Sequence, residues 1–264
     1  MARSVHVLRV FTRGGEGGNH LGVVNDCIGL DDEMMQQIAA DLGFSETAFV
    51  DWQPGEPPVV RIFTPGMELP FAGHPLVGTG HVMGRMGPGG VDRLRCGIGE
   101  VGLRFEGDVT WVQTGPLGEV AAGDDLVALA GAAGVPAPIA AYRVMMPLEY
   151  LIFVVDSEDA VASVAPDLGV LADHFGVLIA HRRGSAARVR FFAPAAGVPE
   201  DPATGSAAVA LAAAMRSAGE EEGSVTIRQG EEMGHPSLIE LRWRGDATEI
   251  GGAVTHDETR YLEI

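Results

Sequence analysis

The chain is poor in the residues that anchor several common protein classes. It has two cysteines, Cys27 and Cys96, far apart and outside any Cys-x-x-Cys spacing. No disulfide framework is implied, and a reducing, cytoplasmic setting is expected. Basic residues are also scarce: 18 Lys plus Arg stand against 36 Asp plus Glu, for a net charge of −18. Such a surface repels phosphate backbones, so no nucleic-acid partner is expected. The charge itself reads as solubility and carries no information about a substrate. Long apolar runs are missing. Polar residues interrupt the first ten positions, which leaves no signal-peptide core. The most apolar stretch, residues 127–141, is broken by Gly131, Gly134, Pro136 and Pro138, so no membrane span is expected. There is no Gly-x-x-x-x-Gly-Lys-Ser/Thr phosphate loop, no Gly-x-Ser-x-Gly elbow and no His-Glu-x-x-His helix. The eight histidines show no zinc spacing, so no metal is expected.

What is present suits a strand-rich globular protein. The 264 residues are natural for two cores, 46% of them are apolar, and the 37 glycines fall often between β-like runs. Residues 5–11, 58–63, 109–113, 150–155, 189–192, 225–228 and 238–243 are rich in β-branched and aromatic side chains and read as strands. Asp31 or Asp32 caps a helix through Leu42, with Met34, Met35, Ile38 and Leu42 on its apolar side. A second helix is expected after Pro75 and a third from about residue 205 to 218. Gly14-Gly15-Glu16-Gly17-Gly18 reads as a surface turn.

The two halves resemble each other. Arg61-Ile62-Phe63-Thr64-Pro65 matches Arg190-Phe191-Phe192-Ala193-Pro194, and each is followed by a glycine-containing loop and a small-residue helix. Gly73-His74-Pro75-Leu76-Val77 then aligns with Gly205-Ser206-Ala207-Ala208-Val209, and Met83 with Met215. Neither helix has a charged face before its final turn, so both are expected to be buried. The fold expected is α+β: two pseudo-symmetric lobes, each a highly twisted, mostly antiparallel sheet wrapped around a central buried helix, facing each other across a cleft. Residues 1–115 form the first lobe and 116–250 the second, with residues 251–264 returning to the first.

Both buried helices start at unusual loops, Glu68 to Pro75 and Glu200 to Ser206. A helix N-terminus offers unpaired N–H groups and positive potential, so two such ends aimed at one cleft make a carboxylate site without lysine or arginine. Gly73 and Gly205 let backbone approach a ligand, and Thr204 and Ser206 add hydroxyl donors. Taken singly, these residues have plainer readings. Asp201 before Pro202 is a cap or turn residue, His74 and His81 are hydrogen-bonded polar residues of buried helices, and Glu46 is a turn carboxylate.

Taken together, the motifs resemble those of the PhzF-like phenazine-biosynthesis family. Ser45-Glu46-Thr47, residues 61–65, Glu68 to Pro75, Phe192-Ala193-Pro194, Glu200 to Ala207, Gln229-Gly230, Gly234 to Ser237 and Gly251 to Val254 follow in family order over nearly the whole chain. The resemblance implies a diaminopimelate-epimerase-like fold, an isomerase of secondary metabolism and a homodimer. It implies Glu46, His74 and Asp201 as catalytic groups, and Asn19, Gly73, Thr204, Gly205 and Ser206 as substrate-binding groups. One departure is Gly18-Asn19-His20, where the family has Gly-Asn-Pro. Should the glycine-rich loop before it border the cleft, a different substrate is expected. The helix starts carry Gly73-His74 and Gly205-Ser206 rather than cysteines, which argues against two-thiol racemisation. The chemistry expected is proton transfer between carbons of a small cyclic or dienyl carboxylate, with Glu46 as acid and base and no metal, flavin, nicotinamide or pyridoxal phosphate. The rival readings are a non-catalytic small-acid binder and a metal-dependent lyase.

Overall fold

The computed structural model describes residues 2–87, 90–115 and 118–263. Among them, seventeen strands join into one continuous hydrogen-bonded system. The first half contributes β1 (Ala2–Thr12), β2 (Asn19–Asn25), β3 (Glu46–Asp51), β4 (Val59–Phe63), β5 (Glu68–Leu69), β6 (Arg93–Cys96), β7 (Gly99–Glu106) and β8 (Val109–Thr114). The second contributes β9 (Glu119–Ala121), β10 (Ala140–Met146), β11 (Leu148–Val154), β12 (Gly176–Arg183), β13 (Ala186–Ala193), β14 (Val198–Asp201), β15 (Glu222–Gln229) and β16 (Ser237–Arg244), and β17 (Ala247–Glu263) closes the set. The helices are α1 (Asp32–Leu42), α2 (Gly73–His81), α3 (Asp124–Ala132), α4 (Glu158–Ser163), α5 (Leu168–Leu171) and α6 (Gly205–Ser217). No helix is long and apolar enough to cross a membrane.

The pairing pattern repeats. In the first half, β2 runs parallel to β3 across α1. In the second, β11 runs parallel to β12 across α4 and α5. Then β3 pairs antiparallel with β4 and β4 with β5, as β12 does with β13 and β13 with β14. The parallel contact of β4 with β6 recurs as β13 with β15, and the antiparallel β6–β7 step as β15–β16. The two lobes expected from the sequence are therefore related by an internal repeat. It extends to side chains. Arg61 grips Glu68 through Nε and a terminal nitrogen at 2.7 and 2.6 Å, and Arg190 grips Glu200 at 2.8 and 2.8 Å. Each guanidinium also lies about 5 Å from a phenylalanine ring two residues on, Phe63 at 5.1 Å and Phe192 at 5.0 Å.

The central helices sit where their composition dictates. Residues 205–215 of α6 and 73–80 of α2 are all buried. α2 packs against β1, β2, β3, β8 and β17, and α6 against β9, β10, β11, β16 and β17. Small side chains make this possible: a methyl group on Gly78 would collide with Leu21 and lie 2.9 Å from Val10. α1 is a surface helix, capped by Asp31 on the Met34 N–H and closed by Gly43 at φ 66°.

Several boundaries differ from those the sequence suggested. The second helix begins at Gly73, two residues before Pro75, and after His81 it continues as a π-helical turn, Val82–Met86. The apolar stretch after residue 126, to which the sequence reading gave no element, holds most of α3 and the turn that follows it. β17, with its many charged residues, is the longest strand and lay outside the strand-like runs. Gly14 to Gly18 is a tight turn between β1 and β2, exposed at residues 14–16 and buried at Gly18, with Gly14, Gly15, Gly17 and Gly18 all at positive φ. Gly17 faces Pro236, and residues 14–18 are not among those lining the small cavity between the lobes.

Candidate active site

The two lobes meet where the repeat puts their helix starts. Gly73 and Gly205, the first residues of α2 and α6, lie back to back. A methyl group on Gly73 would fall 2.6 Å from the Gly205 α-carbon, and one on Gly205 would fall 2.9 Å from that of Gly73. Neither helix has a side-chain cap. Beside this junction, Glu46, the first residue of β3, and Asp201, the last of β14, face one small cavity of about 30 Å³. Thr204 and Ser206 line it too, with Phe71, Tyr150, Phe175 and Phe191 as aromatic walls. That volume holds a water but no six-membered ring.

A chain of polar groups ties the lobes together. The Asn19 amide nitrogen donates to Asp201 Oδ1 at 2.8 Å and to the Ala203 carbonyl at 3.2 Å, while its oxygen accepts from Ser45 Oγ at 2.8 Å. These three partners fix the orientation of the amide. Thr204 donates to Asp201 Oδ2 at 2.5 Å. Gln229, fully buried, donates to the Asp201 carbonyl at 2.7 Å and Thr204 Oγ1 at 3.0 Å and accepts from the Thr204 N–H at 3.1 Å. Asp201 is thus held by donors on both sides. Glu46 is not: its Oε2 is buried without a hydrogen-bond partner, 3.4 Å from His74 Nδ1.

The electrostatics follow from this asymmetry. Burial, and then the nearby Asp201 carboxylate, push Glu46 well above the usual carboxylate range, with a bond from Ser45 pulling back. Burial raises Asp201 as well, but Thr204, Asn19, Ser45 and the backbone at Ala203 all favour its ionised form, so its rise is smaller. Glu46 is accordingly the carboxyl that holds the proton when the pair carries one. Burial lowers His74 to about 3, which leaves its imidazole neutral. The Asn19 amide nitrogen lies 3.4 Å from His74 Nδ1.

The residues singled out from the sequence therefore divide. Glu46, Asp201, Thr204 and Ser206 line the cavity. His74 and Asn19 stand behind them, Asn19 bonded to Asp201 and His74 3.4 Å from Glu46 without a hydrogen bond to it. Gly73 and Gly205 touch each other where the lobes meet and do not line the cavity. His81 lies away from this cluster, 3.4 Å from Thr110. Sequence reasoning missed Tyr150 and Phe175. Tyr150 lies in a run that reads only as a strand, yet it is buried against the cavity beside Ser206, and burial raises its pKa. Gln229 was visible as a Gln-Gly motif, without the role that its three bonds give it.

A fold of two repeated lobes with a shared polar cleft at paired helix starts defines the class of two-lobed, epimerase-like proteins. The particular family follows from the comparisons. The model of the PhzC-PhzF, or phenazine biosynthesis-like, proteins matches residues 8–258. A trans-2,3-dihydro-3-hydroxyanthranilate isomerase from Pseudomonas fluorescens is 33% identical over 251 residues, covering 88% of this chain and 87% of its own. A protein of the same name from Pseudomonas aeruginosa is 35% identical over 255 residues, covering 89% and 90%. Among solved structures, a PhzF-family protein from Bacillus anthracis superposes with a TM-score of 0.83 at 21% identity, covering both chains fully. The chain belongs to the PhzF-like phenazine-biosynthesis family, and it is an isomerase.

Proposed function

We propose that the protein moves a proton between two carbons of a small cyclic carboxylate, trans-2,3-dihydro-3-hydroxyanthranilate or a close analogue, with Glu46 as both acid and base. The observation that carries this reading is the unpartnered Oε2 of Glu46, buried in the cleft beside Asp201. A carboxyl group with a raised pKa exists in both protonation states near neutral pH, so it can accept a proton from one carbon and return it to another. Asp201, held ionised by Asn19 and Thr204, fits the task of orienting an amine or hydroxyl of the substrate. Uncapped N–H groups of α2 and α6, with Ser206, offer donors to its carboxylate. The neutral His74 ring, 3.4 Å from Glu46 Oε2, packs beside it and brings no charge to the pair.

No cofactor enters this scheme. The 18 basic residues are all arginine, so these 264 residues offer no lysine amine for a Schiff base. The substrate's own conjugation delocalises the charge. The small cavity implies that the lobes part to admit a ring and close over it, which desolvates Glu46 at the moment of transfer. We assign residues 1–115 and 116–250 to the two lobes. The division falls at residues 116–117, outside the described residues, and the pairing of β17 with both β1 and β8 supports the return of residues 251–264 to the first lobe.

The test is Glu46→Gln assayed on trans-2,3-dihydro-3-hydroxyanthranilate by NMR in deuterated water. Turnover is expected to fall by about 10²–10⁴-fold. Near-normal turnover removes Glu46 from the reaction.

A further inference from the structure

Gln229, the last residue of β15, is buried behind the cleft and does not line the cavity. A glutamine at that depth is costly unless its amide is fully bonded. The glycine after it lets the strand end close against the loop that carries Asp201, since a methyl group on Gly230 would lie 2.6 Å from the Pro202 carbonyl oxygen. The three bonds of Gln229 leave its amide one orientation. The Asp201 carbonyl only accepts and the Thr204 N–H only donates, so the first marks Nε2 and the second marks Oε1. Nε2 is therefore the atom that faces Thr204 Oγ1 at 3.0 Å, and it has only hydrogens to offer. The threonine oxygen must accept there. Its own hydrogen goes to its other partner, Asp201 Oδ2 at 2.5 Å.

Asn19 is set in a similar way on the other side. The Ala203 carbonyl marks its amide nitrogen, which also donates to Asp201 Oδ1. Both oxygens of Asp201 thus face hydrogens whose direction is dictated elsewhere. A proton on Oδ2 would point at the Thr204 oxygen and turn the threonine hydrogen towards Nε2, where hydrogens already lie. Burial raises Asp201, and of the bonds that oppose it the one from Thr204 is the strongest. Glu46 Oε2 has no donor at all. The other titratable groups beside the pair, His74 and Tyr150, are kept neutral by burial. We propose that Gln229 is a positioning residue: by donating to Thr204 Oγ1 it directs the Thr204 hydroxyl hydrogen onto Asp201 Oδ2, which keeps the proton of the carboxyl pair on Glu46. The consequence for catalysis rests on the roles proposed above for Glu46 and Asp201; the relay itself does not.

The relay is tested in Glu46→Gln protein, where Asp201 titrates without a second carboxyl beside it. Aspartate labelled with ¹³C at the carboxyl carbon reports the Asp201 midpoint, assigned through Asp201→Asn. Gln229→Met, similar in length and without an amide, is expected to raise that midpoint by about one pH unit, the worth of one hydrogen bond. Thr204→Val should raise it at least as far, and in the Thr204→Val background Gln229→Met should add nothing further. A purely structural role predicts lost stability with the midpoint in place. An unmoved midpoint in Gln229→Met overturns the proposal. So does an equal rise in the Thr204→Val background, which shows Gln229 acting by a route other than the hydroxyl. With Glu46 restored, Gln229→Met should carry the acid limb of the kcat/KM–pH profile upward by the same interval. A displaced midpoint with an unmoved limb supports the relay and counts against the proposed role of Asp201. Should Gln229→Met fail to fold by circular dichroism, neutron diffraction from the deuterated, unaltered protein decides. Deuterium on Nε2 aimed at Thr204 Oγ1, with the hydroxyl deuterium aimed at Asp201, supports the proposal; a hydroxyl deuterium aimed elsewhere overturns it.

Discussion

Asn19 of the first lobe donates to Asp201 of the second at 2.8 Å, and through Ser45 the same amide is tethered beside Glu46. The carboxyl pair of the cleft is thus assembled from both halves of the repeat by one side chain. Asn19 favours the ionised form of Asp201. Asn19→Leu removes that bond and should raise the pKa of Asp201 further. The acid limb of the kcat/KM–pH profile is then expected to move to higher pH, and stability at neutral pH to fall by about 1.5–3 kcal/mol, the range for a hydrogen bond to a charged group. An unmoved acid limb would show that Asp201 does not set it.

The raised pKa of Glu46 has a consequence for stability with a definite sign. The folded state holds the Glu46 proton more tightly than the unfolded state does. Stability from this group is therefore fully present below the ordinary carboxylate pKa of 4.5 and is lost as pH rises from there towards the raised value. Glu46→Gln mimics the protonated form and does not titrate. Its melting temperature relative to the unaltered protein should rise between pH 5 and 8, read by calorimetry at several pH values. A constant difference would contradict the assignment.

The contact between Gly73 and Gly205 leaves no room for a methyl group. Gly205→Ala should cost about 1–3 kcal/mol through overpacking, although alanine favours a helix, and lower the melting temperature by about 2–4 °C per kcal/mol. The matching change at Gly78 should show a similar penalty without altering the cleft's pH profile.

The paired Arg61–Glu68 and Arg190–Glu200 bridges test how burial sets the worth of the same geometry. The Arg190 side chain is 10% exposed and that of Arg61 is 30% exposed. Arg190 also donates to the Val164 carbonyl at 2.5 Å. Arg190→Met should cost about 3–5 kcal/mol by leaving Glu200 unpaired, and Arg61→Met about 1 kcal/mol or less. Urea denaturation of the two variants measures the difference.

Much of this was readable in the sequence because it rests on local chemistry. Asp31 announces α1, and the alanine run of 206–214 can only be an interior helix. The repeat was readable because Arg-x-Phe and the helix-start glycines do the same work twice. What was not readable depends on distant partners. β17 is polar along much of its length and becomes a strand because β1, β8 and β16 supply its bonds. The π-helical turn depends on tertiary packing that no propensity encodes. Asn19 looks like a cleft residue in a motif, yet its side chain is spent on Asp201, Ala203 and Ser45, and neither it nor His74 lines the cavity. Tyr150 joins the site only because β11 passes beside α6.

β17 also governs the order in which the molecule can be made. Val5 pairs with Arg260, and Val10 with Val254, across more than 240 intervening residues. The pairing of β1 with β17 therefore waits until both halves between them are made, and α2 stays incompletely covered until β17 arrives. Such remote pairing carries a high loop-closure cost and slows folding. The lobe that supplies Glu46 is thus synthesised before the other, yet it is completed only once the other has been made.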